Sequence, residues 1–136
     1  MAKIESKKVL VAAPAQTVFD FLADFSHFEQ LLPADKVSKV AIQPESISFQ
    51  INGLASIGMR LASTQVPTLL HIVSEGKNPF DFTLDIHLKE VSSNSTEAFL
   101  IFDGNMNPFL KMMVEKPLTQ FFNQLAERLS DRYQAG

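Results

Sequence analysis

Hydrophobic and polar residues alternate most cleanly over residues 80–89. There Phe80, Phe82, Leu84, Ile86 and Leu88 share one parity and Asp81, Thr83, Asp85, His87 and Lys89 the other. Strict alternation puts the two sets on opposite faces of a strand buried on one side. Ile47, Phe49 and Ile51 alternate with Ser46, Ser48 and Gln50 in the same way. Asn52-Gly53 follows, a pair that tolerates positive φ and so predicts a hairpin. Further strands are predicted over 36–43, 55–63, 69–75 and 96–104, with turns at Pro44-Glu45, Val66-Pro67, 76–79 and 92–95. Strands in succession joined by short turns make an antiparallel meander.

The two ends read differently. Residues 3–12 form a strand that is charged early and apolar late, broken by Ala13-Pro14. Val18, Phe19, Phe21 and Leu22 then fall at helical spacing, predicting a short helix over 14–23. Ser26 and Glu29 have capping-box spacing and predict a second short helix, carrying Phe28, Leu31 and Leu32 and stopped by Pro33. At the other end Asn107-Pro108 starts a long helix. Its Leu118, Phe121, Phe122, Leu125 and Leu129 form one apolar stripe. Pro117 removes a helical hydrogen bond, which predicts a bend or a split near 113–117, with 109–114 laid over the mouth of the fold. The expected architecture is α+β. A curved seven-stranded antiparallel sheet wraps a long C-terminal helix, with two short helices between strands 1 and 2, as one domain over 1–136.

The run Val11-Ala-Ala-Pro14-Ala-Gln-Thr-Val18-Phe19-Asp-Phe-Leu22-Ala-Asp24-Phe25, followed by Phe28 and Leu32-Pro33, resembles the opening of the START-like (SRPBCC) superfamily. That group includes polyketide cyclases, lipid-transfer domains and coenzyme-Q-binding proteins. The resemblance implies the helix-grip fold over the whole chain. Members range from enzymes to carriers, so function has to be argued from the site.

Composition narrows the choice. With 46% hydrophobic and 20% charged residues the chain is no disordered segment. Its net charge is −3 and its basic residues never cluster beyond Lys7-Lys8, unlike a nucleic-acid binder that must neutralise phosphates. The absence of cysteine removes disulfides and thiolate chemistry. No apolar run is long enough for an integral membrane segment, and Met1–Lys8 does not read as a signal peptide, so a cytoplasmic location is expected. Twelve phenylalanines against one tyrosine and no tryptophan predict a large, dry interior.

Polar chemistry is sparse. His87 shares a strand face with Asp81 and Asp85, which reads as a solvated outer face rather than a metal or proton-transfer site. His71 reads as packed or half-exposed, His27 lies within the predicted capping box, and no histidine pair has helical metal-ligand spacing. There is no Gly-x-Ser-x-Gly elbow and no phosphate loop. Asn94-Ser95-Thr96 and the two Asn-Pro-Phe tripeptides, at 78–80 and 107–109, are explained by turns and caps. Arg60 is a surface charge if Ile57 faces inward; on the opposite parity it would be a polar anchor inside the cavity for a carboxylate or phosphate. No cofactor and no metal are expected.

The cavity lining is predicted to be Phe28, Met59, Phe82, Leu84, Ile86, Leu100, Phe102, Phe109, Met113 and Phe121, with Met112 beside the mouth. Such a container fits a hydrophobic small molecule, lipid-like, isoprenoid or polyketide-like, held without catalysis. The alternatives are a cyclase or dehydratase acting on a hydrophobic substrate, which needs converging polar groups, and an interaction module with a filled cavity. On the last meander strand Phe99 and Ile101 share parity with Glu97 and Asp103. They are therefore expected on the outer face, where they would support a weak homodimer.

Overall fold

The computed structural model describes residues 2–76 and 78–133. The chain opens with β1 (Ala2–Glu5) and β2 (Val9–Val11), both paired antiparallel to the last strand, β8 (Ser95–Gly104). The single strand expected over 3–12 is interrupted into two, both paired with β8, so that among the described residues eight strands fill the seven expected positions of the sheet. The cause is Ser6. Its amide donates to the Leu100 carbonyl at 2.8 Å, while the Leu100 amide donates to the Ser6 hydroxyl at 2.9 Å. A side chain thus stands in for a ladder carbonyl, and the strand bulges at Lys7-Lys8 between the two paired stretches.

After β2 come α1 (Ala15–Leu22), α2 (Phe25–Phe28) and a 3-10 turn over Glu29–Leu31. The predicted Ser26–Glu29 capping box is replaced by a cap two residues earlier. Asp24 accepts from the Ser26 amide at 2.9 Å and from its hydroxyl at 2.6 Å, so the helix starts at Phe25. The Ser26 hydroxyl, and then its amide, hold the Asp24 carboxyl below the usual carboxylate range.

The meander follows as β3 (Val37–Gln43), β4 (Ser46–Ile51), β5 (Ala55–Gln65), β6 (Leu69–Ser74) and β7 (Phe82–Ser92), each paired with its sequence neighbour and β7 with β8. Asn52–Leu54 is a three-residue turn with Gly53 at φ 78°. Phe80 lies outside β7, and its ring meets Phe82 and Phe102 edge-on at 6.3 and 6.0 Å. Asn78 explains the first Asn-Pro-Phe. Its amide group donates to the Gly58 and Glu75 carbonyls at 3.1 and 3.0 Å, and its oxygen accepts from the Gly58 amide at 2.9 Å.

Asn107 caps the final helix, α3 (Pro108–Arg132), accepting from the Leu110 amide at 2.8 Å. The split expected at Pro117 is absent, and α3 runs through it as one helix. Pro117 is exposed while Val114 and Leu118 on either side of it are buried, so packing on both flanks holds the helix across one missing hydrogen bond. Leu70, Ile72, Leu84, Ile86 and Phe102 face the helices from the sheet. Helix α1 packs on β6–β8, and α3 packs on β1, β2 and β8. Among the described residues no helix is long and apolar enough to cross a membrane.

Candidate functional site

Between the sheet and α3 lies an internal space whose lining is wholly apolar. The inward parity of β4 supplies Phe49 and Ile51, that of β5 Ile57 and Met59, and that of β7 and β8 Phe82, Leu84 and Phe102. The α3 stripe closes it with Leu118, Phe121, Phe122 and Leu125. The space measures about 20 Å³, room for roughly one water molecule. Phenylalanine rings take up the rest. Phe82 stacks on Phe102 at 5.1 Å, Phe102 lies tilted against Phe122 at 5.2 Å, and Phe49 stacks on Phe121 at 6.0 Å. Phe121 and Phe122 meet edge-on at 5.6 Å. Such offset and edge-on contacts favour the closed packing beyond simple burial.

Phe121 and Ile51 also belong to a second, open groove of about 310 Å³ on the outside. Its rim is polar: Asp35 and Lys36 from the loop before β3, Asn52 and Gly53 from the β4–β5 turn, and Gln120 on α3. The rim is built by short hydrogen bonds. The Asn52 amide donates to the Lys36 carbonyl at 2.8 Å, and the Ser38 hydroxyl donates to the Asn52 side-chain oxygen at 2.7 Å. Groove and interior thus share Phe121 and Ile51 in their linings.

No family model matches the sequence, and no curated protein is significantly similar to it. Solved structures are. A START superfamily protein from Mycobacterium smegmatis superposes with a TM-score of 0.76 at 16% identity, over 97% of this chain and 97% of that one. Truncated norcoclaurine synthase from Thalictrum flavum gives 0.76 at 17% identity, over 99% and 94%. The di-domain ARO/CYC BexL from the BE-7585A biosynthetic pathway gives 0.73 at 15%, over 96% of this chain and 46% of that one. The chain has a START-like, helix-grip fold.

The START-like arrangement brings five of the predicted residues, Met59, Phe82, Leu84, Phe102 and Phe121, around one space. Ile86 and Leu100 are paired across β7 and β8 and buried, but lie one inward position beyond Leu84 and Phe102 and outside the lining. Phe28 is buried against Phe25, edge-on at 5.8 Å, in the α2 region. Phe109 and Met113 are corrected outright. They are 70% and 58% exposed, because an unbroken α3 carries them on the side opposite Val114, Leu118 and Leu125.

Arg60 points outward, its Nε 3.5 Å from Glu75 Oε1, with both side chains about half exposed. It therefore contributes little to stability and stands away from the interior. The lining residues missing from the sequence prediction are Phe49, Ile51, Ile57, Leu118, Phe122 and Leu125. Their signal was present as strand parity and helix stripe. What it lacked was any mark separating core from lining.

The histidines all sit outside this space. His27 stacks on Phe21 at 5.2 Å, His87 stacks on Phe99 at 4.9 Å, and His71 Nδ1 pairs with Asp85 across β6 and β7. Among the described residues no cluster of histidine and carboxylates could hold a metal.

Proposed function

We propose that this protein binds an apolar or amphipathic small molecule, lipid-like, isoprenoid or polyketide-like, in the space between sheet and α3, without converting it. The observation that carries this reading is the shared wall. Phe121 and Ile51 line both a dry apolar interior and an outward groove with a polar rim. Ligand pockets commonly measure about 300–1,000 Å³, so the interior has to open to be used. Turning Phe121 outward joins the groove to the interior and leaves the rim groups of Asp35, Lys36 and Gln120 beside the ligand's polar end. The wholly apolar lining supports holding over turnover, since it offers no group to move a proton. The reading takes residues 1–136 as one domain working in the cytoplasm.

Native mass spectrometry of the purified chain, with titration by a fluorescent fatty acid, tests it. A co-purifying adduct or saturable one-to-one binding is expected. No adduct and no saturable binding would leave the interior as plain core. The filled interior favours that second reading, a module that works through its surface. A cyclase or dehydratase on a hydrophobic substrate would show as turnover of a bound adduct.

Self-association is part of the same reading. Phe99, Ile101, Leu69 and Val73 lie half-buried on the outer face of the sheet, opposite the inward parity of β6 and β8. His87 covers Phe99, and the Lys8 ammonium sits 5.4 Å from its ring centre, so the bare apolar area is small. The dimer is therefore expected to be weak. Sedimentation should show self-association only at high protein concentration, and Phe99→Lys should abolish it while leaving the fold intact. A strictly monomeric wild type would remove the idea.

A further inference from the structure

The first turns of α3 invert the usual order of a surface helix. Phe109, Met112 and Met113 are 70%, 77% and 58% exposed, on the side turned away from the sheet. They fall at i, i+3 and i+4, so they form one face. With Lys116 and Gln120 the stripe Phe109, Met113, Lys116, Gln120 continues at i, i+4, i+7 and i+11 to the groove rim. At a rise of about 1.5 Å per residue, Met113 stands roughly 6 Å along the axis from Pro117, which lines that groove.

The charges around this face are sorted. Glu115 is tied to Lys111 at 3.5 Å, whereas Lys116, exposed, carries no ion pair among the described residues. Lys36 on the groove rim has none either. Over the first turns of α3 itself, Lys111 and Lys116 stand against Glu115, in a chain of net −3. Exposed phenylalanine and methionine flanked by unpaired lysines match the cross-section of a bilayer interface. Apolar side chains enter the acyl boundary there, and ammonium groups meet anionic headgroups.

We propose that this face docks on a lipid surface and presents the groove to it. The proposal rests on the ligand reading above, because an apolar ligand with little solubility in water has to be exchanged with a lipid phase. Docking through Phe109, Met112 and Met113 sets the groove rim at the headgroup level, one helical turn from the membrane contact.

Co-sedimentation with phosphatidylcholine vesicles, with and without phosphatidylglycerol, tests it. The wild type should bind both, and the anionic vesicles more. The triple variant Phe109→Ser, Met112→Ser, Met113→Ser should lose about tenfold or more in partitioning, because binding scales with the apolar area inserted. Lys116→Glu should remove the preference for anionic vesicles. Fatty acid delivered from ethanol should bind wild type and triple variant equally, because none of the three side chains lines the interior. A wild type that binds fatty acid but stays clear of vesicles would overturn docking and leave the ligand reading standing. Vesicle binding lost in the triple variant, in a protein that takes up no fatty acid, would uphold docking and overturn the ligand reading. Equal partitioning of wild type and triple variant would also overturn docking. So would self-association that the triple variant abolishes in a protein with no affinity for vesicles, since the face would then belong to a second copy.

Discussion

Phe121→Ala is expected to weaken the fold and speed ligand uptake at the same time. The ring is 4% exposed and packs against Phe49 and Phe122, so its removal leaves a void that those neighbours fill only in part. Truncating a buried phenylalanine costs about 3–5 kcal/mol, readable as a lowered urea midpoint with an unchanged slope. The same ring lines both the interior and the outer groove. Without it the two spaces merge, and association of a fluorescent fatty acid should become several-fold faster, as for any gate that limits access. Phe121→Leu keeps most of the volume and should fall between wild type and alanine on both measures. Lost stability with no gain in association rate would show that Phe121 is core and not a gate.

Gly58→Ala should be among the most damaging single-methyl additions available. Gly58 lies on β5 with both backbone groups in use: its amide donates to Asn78 Oδ1, and its carbonyl accepts from the Glu75 amide at 2.9 Å. A Cβ at this position would collide with the Glu75 carbonyl oxygen, a backbone atom with no freedom to move aside. Relief requires parting β5 from the segment after β6 and breaking the Asn78 clamp with it. The expected loss is roughly 2–4 kcal/mol. Gly53→Ala is the control: nothing lies within 4 Å of its Cβ, but φ is 78°, so only left-handed backbone strain of about 1 kcal/mol is expected. Thermal melts of the two variants should rank them clearly, and equal losses would mean that close approach is not what keeps residue 58 a glycine.

These sites also mark how far the sequence could be read. The inward parity of β4, β5, β7 and β8 and the α3 stripe were visible, because alternation and 3.6-residue spacing are local properties. The break at Ser6 was not, since it depends on a hydroxyl meeting the amide of Leu100, a residue far along the chain. Residues near the interior could be named, but its volume could not. That volume is set by how the rings of Phe82, Phe102, Phe121 and Phe122 interlock, a property of packing rather than pattern. Phe109 and Met113 were misplaced because Pro117 was expected to turn that segment. Instead the helix continues through Pro117, with Val114 and Leu118 buried on either side of it.

The bulge at Lys7-Lys8 has a mechanical consequence for α3. The Lys7 amide donates to Asn123 at 2.7 Å, the Lys7 ammonium reaches Glu127 at 2.7 Å, and the Ser130 hydroxyl donates to the Leu10 carbonyl at 2.7 Å. Arg128 adds a bond to the Gln30 carbonyl at 3.2 Å. Among the described residues, these side-chain rivets from α3 to the rest of the fold all fall between 123 and 130. The helix is therefore clamped along its C-terminal half, while its N-terminal end is tied to β8 by residues 105–107, whose Asn105 amide donates to the Asp81 carbonyl at 2.8 Å. Between these two anchorages α3 is held to the sheet by apolar side chains, Val114, Leu118, Phe121 and Phe122 among them, and apolar contacts carry no angular penalty. The stretch over the groove, Pro117 to Phe121, therefore lies between two anchored ends, where a helix yields by bowing rather than by lifting.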